Sequence, residues 1–425
     1  VVGGSTVGLL TAVLLARNDH EVTVLETDPF DGPADPVAAW ERWDRPVPQL
    51  RFPHGYTPLA HRIMSMWFPD LLATLVEHGA QQPAVFGEPS SRKLLCRRTT
   101  VEWAARRLGA LEGAVQVRHG TRVVGVLTDG ARRGATTVTG VVDDRGGHHT
   151  ADLVLDVTGC GSQAVKWLGR ARLDVTSTAV GNCYFSRWFR LDDPTEPLPG
   201  ANVDIDLGFG FCSMTPADSG FFCVTFILPA ADRSLRELRR PAAFAAAVAA
   251  LPDIARWVRP DRARPAGPVR YFRGCQQRSC RITEAEQPSV LGWLPLGDAA
   301  LCTNPMYGWG TALGLRQAEL LGEALAECGA DVAATAVAYQ RRVHREVAPW
   351  YELSRRLDRF HWGTGSTTGP AFRETSLDPG ASPRLARAMQ LIEVPDGITT
   401  LPTKRRTSAP TRNGWMQQLI SGVAT

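Results

Sequence analysis

Four residues near the start of the chain have the types and spacing of a nucleotide-binding turn: Gly3, Ser5 and Gly8 in VVGGSTVGLL, and Glu26 at the end of EVTVLE. In a G-x-G-x-x-G fingerprint the first glycine permits a tight turn and the second lets a pyrophosphate approach the backbone. The third lets the following helix pack closely on its strand. Gly3 and Gly8 take the first and third places, and Ser5 takes the second. Serine is the next smallest residue with a polar group, so the phosphate approach lengthens slightly and survives. The helix N-terminus offers unpaired N–H groups and a positive dipole end to the phosphates. Glu26 stands 18 residues after Gly8, where a carboxylate accepts hydrogen bonds from ribose hydroxyls. Its charge repels a 2′-phosphate, so NADP is disfavoured here, whereas FAD and NAD both fit. No Ser/His/Asp triad is conspicuous and no metal site is expected. The nine cysteines contain no CxxC pair, and the closest two, Cys275 and Cys280, lack a usual zinc spacing. They read as buried reduced thiols of a cytoplasmic protein.

The elements that position these residues follow from the pattern around them. VV ends a buried strand, LLTAVLLAR is apolar all round a helix, NDH breaks it, and EVTVLE is a second strand. A strand normally carries several residues before its turn, so the native chain is expected to begin a few residues before Val1. Residues 27–55 are rich in Pro and Asp and read as a long surface loop. AHRIMSMWFPDLLATLVEHGA reads as a helix interrupted by proline, and SSRKLLCRRTTVEWAARRLGAL as a loop leading into an amphipathic helix. Short β runs fill 115–157, and alternating β segments fill 175–290 around one helix at AAFAAAVAALPDIARWV. The stretch from PSVLGWLPLGDAAL onward returns to strand, loop and long helix. The predicted class is α/β: a Rossmann-like ββα three-layer nucleotide domain split across 1–174 and 291–345, a β-sheet-rich substrate domain at 175–290, and a C-terminal helical region with a polar tail at 346–425.

Five separated motifs in order carry a family resemblance: the glycine turn, LLCRRTTVEWAARRL, GTRVVG, DLVLDVTGCGSQ and LPLGDAALCTNPMYGWGTALGL. Over roughly residues 1–345 the chain resembles the FAD-dependent class A monooxygenases, whose architecture follows p-hydroxybenzoate hydroxylase. Within them it is most similar to bacterial epoxidase-like and hydroxylase-like members of natural-product pathways. The resemblance implies FAD, held by Gly3, Gly4, Ser5, Thr6, Val7, Gly8 and Glu26 at its adenosine and pyrophosphate and by the backbone at Val123 near the adenine. Arg97 takes the serine place of the family's Ser-Arg-x-x-Leu-Glu segment, and Arg98 takes the arginine place, toward ribityl or phosphate oxygens. Asp298, after Gly297, is expected to accept ribityl hydroxyls. Pro305, Gly308, Trp309, Gly310 and Thr311 are expected to open a helix aimed at the flavin ring, where its dipole favours the charge of reduced flavin. His54, in PQLRFPHG, is the candidate side chain near the ring. Where the family has an Asp-Gly pair this chain has Thr158-Gly159, with Asp156 just before, so no NADPH preference follows. GCGSQA also spells G-x-G-x-x-A, yet VKWLG is a short helix with no acid-ended strand after it, so a second nucleotide site is not expected.

The implied activity is oxygen insertion into a small molecule. NAD(P)H, acting transiently, or reduced flavin from a separate flavin reductase supplies electrons, O2 reacts, and a flavin C4a-hydroperoxide donates the oxygen. The insert would roof the substrate, with Tyr184, Arg187, Trp188, Phe222 and Phe226 as candidate contacts. The net charge of +4 is small for 425 residues and no basic block exceeds TKRR, which argues against nucleic acid. No apolar run reaches the ~18 residues of a membrane span, so no integral membrane segment is expected. The main rival is a flavin-linked reductase or dehydrogenase that takes hydride without inserting oxygen. A flavin halogenase is disfavoured because no Trp-x-Trp-x-x-Ile-Pro segment occurs and neither Lys93 nor Lys166 has a halogenase-like setting. A non-enzymatic flavin sensor would be favoured by an added signalling domain, and none is recognisable.

Overall fold

The computed structural model describes residues 1–29, 32–43, 47, 49–132, 135–169, 173–284, 287–362, 375–377, 382–398 and 400–405. Val22–Leu25 pairs in parallel with Val115–Arg118, and Trp293–Pro295 with Val154–Asp156. Val2 bridges Leu25 on one side and Asp156 on the other, also in parallel. The sheet therefore runs 115–118, 22–25, N-terminal segment, 154–156, 293–295. Strands buried on both faces are mainly apolar, and VTVL and VLD are so except for Thr23, which is half-buried, and the buried Asp156 at the strand end. Helix α1 (Thr6–Ala16) follows the first segment and is buried at every position except Val7. It packs against α2 (Arg98–Leu111). An antiparallel meander of Val123–Arg132, Ala135–Asp143 and His148–Thr150 covers another side and pairs with Val290–Leu291.

The inserted sheet is antiparallel, in the order Val203–Asp206, Phe211–Pro216, Phe221–Pro229, Asn182–Leu191, Ala263–Pro265, with Arg270–Phe272 also on the 182–191 strand. Successive side chains point to opposite faces. Phe185, Phe189, Phe222 and Phe226 turn one way and share a core with Phe244 of α3 (Pro241–Ala249). Tyr184 and Trp188 turn the other way, toward the nucleotide layer. Gln276–Arg281 pairs with Asp174–Ala179 and with Leu301–Cys302, so the chain enters and leaves the insert along paired strands. The chain then forms α4 (Gly310–Cys328), α5 (Val332–Glu346) and α6 (Ala348–Trp362). Trp350, Tyr351, Leu353 and Leu357 of α6 join the core of the nucleotide layer. The tail beyond residue 405 lies outside the described residues. Among the described residues no helix is long and apolar enough to cross a membrane.

One buried ion pair clamps the insert to the nucleotide layer. Arg97, at the cap of α2, places Nη2 2.6 Å from Asp218 Oδ2, and its backbone N–H donates to Asp218 Oδ1 at 2.6 Å. Thr100 Oγ1 donates to the same carboxylate at 3.0 Å, and the guanidinium lies 3.8 Å from the Phe221 ring centroid. Removing one partner of such a pair strands the other charge in a dry interior. Asp218→Ala is expected to lower the unfolding free energy by ~3–5 kcal/mol in urea denaturation. A loss below ~1 kcal/mol would show that Arg97 finds water or another acceptor.

Candidate cofactor site

The glycine turn closes only because two positions are bare. Gly3 has φ +103°, and a Cβ there would stand 2.7 Å from Val157 O; a Cβ on Gly8 would stand 1.9 Å from Gly3 O. The first intrahelical bond of α1 is Leu9 N–H to Ser5 O at 2.9 Å, which leaves the amides before it for other acceptors. Ser5 is drawn toward α2. Its hydroxyl donates to Glu102 Oε1 and accepts from Arg98 Nη2 at 3.2 Å. Glu102 is fully buried one helical turn after Arg98, and the two form an ion pair at 3.2 Å. Glu26 accepts from Gly4 N–H at 2.7 Å and from Asp28 N–H at 2.8 Å, which pins it beside the turn. Thr121 N–H donates to Glu26 O at 2.9 Å, so the GTRVVG segment that leads to Val123 lies alongside.

The second half of the site comes from residues almost three hundred positions away. Asp298 sits in the short 3-10 turn Gly297–Ala299, and Gly297 N–H donates to Gln317 Oε1 of α4 at 3.0 Å. Gly310 opens α4 against that carboxylate: a Cβ there would be 3.3 Å from Asp298 Oδ1. Pro305–Tyr307 forms another short turn, capped by Asn304 Oδ1 accepting from Met306 N–H at 3.0 Å. Gly308 has φ +68°, and a Cβ on it would stand 3.3 Å from Gly55 Cα, so this loop lies against Gly55, next to His54. Trp309 is buried, with Nε1 donating to Met389 O at 2.9 Å, and Thr311 lies in the first turn of α4.

His54 links the halves. Its Nε2 lies 3.1 Å from Arg98 Nη1 and its Nδ1 lies 2.9 Å from Phe52 O. A guanidinium can only donate, so Nε2 accepts and Nδ1–H donates to the carbonyl. Burial, and then the charge of Arg98, pushes the imidazole down to about 3, so it is neutral at physiological pH. Burial pushes Asp298 up to about 6, against the pull of Arg98. The polar contact Asp298 makes among the described residues is the Cys160 sulfur, 3.7 Å from Oδ2. That sulfur is in a disulfide and has no proton to give. A ligand with several hydroxyls would satisfy the carboxylate, and bare glycines, helix amides, Glu26 and Asp298 together fit a flavin dinucleotide.

Several features were not legible in the motifs, although most of their residues lie within them. The expectation that all cysteines are reduced is corrected: Cys160 and Cys302 are joined across 142 residues. Val154–Asp156 pairs with Trp293–Pro295, and this brings the loops that follow each strand together. The other cysteines are thiols; Cys96, Cys183, Cys212, Cys223, Cys275 and Cys280 are buried and Cys328 is half-buried. The ligand atoms of Cys160, Asp298 and Cys302 lie within 4.8 Å of one another, but the joined sulfurs are not free as metal ligands. Asp156 faces inward, accepting from Thr158 N–H, Thr158 Oγ1 and Ser162 Oγ. Glu102 was signalled only by the final letter of the Ser-Arg-x-x-Leu-Glu pattern. Asp358 of α6 had no signal. It accepts from Asn304 Nδ2 at 2.7 Å, Tyr307 OH at 2.8 Å and Gln277 Nε2 at 2.5 Å, and burial pushes it up to about 6.

The five candidate substrate contacts fall on two faces of the inserted sheet. Tyr184 donates to Asn304 Oδ1 at 2.7 Å and packs in a cluster with Phe52, Phe272, Met306 and Trp362, beside the Pro305–Tyr307 turn. Trp188 donates from Nε1 to Arg51 O at 2.8 Å and packs with Trp40 and Phe221. Phe222 and Phe226 are fully buried beneath α3, on the far face. Arg187 lies 5.8 Å from the Phe189 ring on that far face. The period of two, applied along each strand, separates these three from Tyr184.

The neutral state of His54 is testable. In proton-detected NMR its imidazole is expected not to titrate between pH 5 and 8, and Arg98→Met should raise its pKa by removing the adjacent positive charge. Because the folded value is depressed, the unfolded chain binds the extra proton first. Stability from this group is therefore lost as pH falls from about 6.5 toward 3. A wild-type imidazole that titrates near 6.5 would mean the ring is solvated and not held by Arg98.

No family model matches the chain. It is 27% identical over 372 residues to Protein Rv3254 of Mycobacterium tuberculosis, covering 76% of this chain and 72% of that protein. PqsL, a probable FAD-dependent monooxygenase from Pseudomonas aeruginosa, superposes with a TM-score of 0.60 at 16% identity, over 84% of this chain and 93% of that one. The flavin-dependent brominase Bmp2 superposes with a TM-score of 0.59 at 14% identity, over 84% of this chain and 86% of that one. At these identities the likeness is one of fold, and one fold can host more than one chemistry. The chain has the fold of the class A FAD-dependent monooxygenases.

Proposed function

We propose that this protein is an FAD-dependent monooxygenase that inserts one oxygen atom, by hydroxylation or epoxidation, into a largely apolar, natural-product-like small molecule. One observation carries the reading. The glycine turn, Glu26, the 158–161 segment and Asp298 follow the carboxyl ends of four neighbouring parallel strands, where open α/β sheets bind their ligands. Bound FAD supplies the electron transfer and oxygen chemistry. The protein's own residues hold and shield it. The early amides of α1 would hold the pyrophosphate, Glu26 would accept from the ribose, and Asp298 would accept from the ribityl hydroxyls. Arg98, balanced by Glu102, places one fixed positive charge between the glycine turn and His54. The neutral His54 adds no second charge. The apolar cluster of Phe52, Tyr184, Phe272 and Met306 beside the Pro305–Tyr307 turn is suited to exclude water from a reacting apolar substrate. Electrons come from NADH, NADPH or reduced flavin delivered by a separate reductase.

The protein is expected to be yellow and to release FAD on heat denaturation. A buried polar group left without its partner costs about 1–3 kcal/mol, so Asp298→Ala should weaken FAD binding roughly 5- to 150-fold. Unchanged affinity in a folded variant would remove Asp298 from the site. With substrate, reductant and oxygen-18 gas, one labelled atom is expected in the product by mass spectrometry. Product that forms without oxygen would place the protein among reductases or dehydrogenases instead.

A further inference from the structure

We propose that Cys160 and Cys302 form a thiol–disulfide exchange site whose reductant is a small dithiol or a dithiol protein, and whose closed form clamps the 158–163 segment onto the Asp298 turn. Four observations support this. The two sulfurs are unequal: Cys160 is exposed and Cys302 is buried, so one is open to an attacking thiolate and the other is a shielded leaving group. Six other cysteines are buried thiols, and burial pushes Cys183, Cys223 and Cys275 up to about 12, far from reactive. Among the described cysteines Cys160 alone is exposed. The segment it tips is anchored to the sheet where Asp156 accepts from Thr158 and Ser162, and the bonds from Ser162 N–H to Gly159 O and from Gln163 Nε2 to Gly161 O are local. At the tip Gly159 and Gly161 have open space around them, and the Gly159–Gly161 turn touches the Gly297–Ala299 turn. The disulfide is thus the tether that holds the tip against Asp298.

The exchange balances with Asp298 as the local proton donor and solvent returning the proton that the dithiol gave up on ionising. A thiolate of the dithiol attacks Cys160 Sγ, the Cys160–Cys302 bond breaks, and its electron pair goes to Cys302 Sγ. Asp298 lies within 4.8 Å of that sulfur, and its raised pKa lets it hold the proton that the departing thiolate takes up. The second thiol of the dithiol then attacks the mixed disulfide, giving up its proton as Cys160 leaves as a thiol. The products are one cyclic disulfide and two protein thiols, and Asp298 regains its proton from water.

The effect on the cofactor rests on the proposed FAD site, but the exchange itself does not. The test is made on the full chain equilibrated in oxidised or reduced dithiothreitol, then unfolded, alkylated and digested. A linked peptide pair holding Cys160 and Cys302 is expected in the oxidised sample alone, with seven alkylated cysteines; all nine alkylate in the reduced sample. Amide hydrogen exchange of 158–163 should rise at least ~10-fold on reduction, and Cys160→Ser should show the fast rate in both buffers. FAD release, followed by recovery of free-flavin fluorescence, should likewise be at least ~10-fold slower from the oxidised chain. Two thiols persisting in oxidised dithiothreitol, or equal exchange of 158–163 in both states, would overturn the proposal, as would equal FAD release. A chain that binds no FAD but shows the redox-dependent exchange would instead overturn the cofactor reading and leave the clamp standing.

Discussion

Everything at the cofactor end depends on how closely α1 approaches the strand ends. The carbonyl of Gly3 occupies the space a side chain on Gly8 would need, and Val157 occupies the space a side chain on Gly3 would need. That contact sets the tilt of α1, and through it the position of the Ser5 hydroxyl. Ser5 then engages Glu102 and Arg98, and Arg98 engages His54. A backbone contact at one turn is thereby transmitted through polar side chains to His54 and Phe52. The serine in place of the second glycine is consistent with this chain, because its hydroxyl has two built partners on α2.

The charges along this chain are arranged so that few are uncompensated. Glu102 is fully buried and balances Arg98, while burial keeps His54 neutral. Asp298 and Asp358 are both pushed up to about 6. A carboxyl raised in the folded state binds its proton before the unfolded chain does, so the destabilisation these two groups cause is relieved as pH falls from about 6 toward 3.8. His54 acts in the opposite sense over nearly the same window. Asp358 already has three donors within the chain, whereas the polar contact of Asp298 among the described residues is a disulfide sulfur. Asp358 holds Asn304 and Tyr307, and Asn304 in turn accepts from Tyr184 of the inserted sheet. Helix α6 therefore sets the register between the roof and the Pro305–Tyr307 turn.

The inserted sheet has a division of labour that follows from its pleat. One face is a closed core with α3, filled by Phe185, Phe189, Phe222 and Phe226. The other face meets the nucleotide layer and is divided between the Tyr184 and Trp188 clusters. The Arg97–Asp218 pair fixes the second of these, because Asp218 precedes the strand that carries Phe221 and Arg97 caps the helix that carries Arg98. The clamp that holds the two layers together thus begins one residue from Arg98, which joins Ser5, Glu102 and His54.

The amino-acid sequence by itself determined the α/β class, the strand–turn–helix–strand unit at the start of the chain and the distant Gly297-Asp298 turn. These depend on local rules: glycine where a backbone must be bare, apolar runs where a strand is buried, a carboxylate at a strand end. The pairing of Arg98 with Glu102 came from the structure, although residues four apart share a helix face and the spacing permits it. Only the tertiary structure decided which sides of the inserted strands meet the cofactor layer, because alternation assigns residues to two faces without saying which face is covered. Only the tertiary structure joined Cys160 to Cys302 and brought Asp358 to Asn304. Both contacts arise from the order of strands in the parallel sheet and from the docking of α6, and residues far apart in the chain leave no periodic trace of such a meeting.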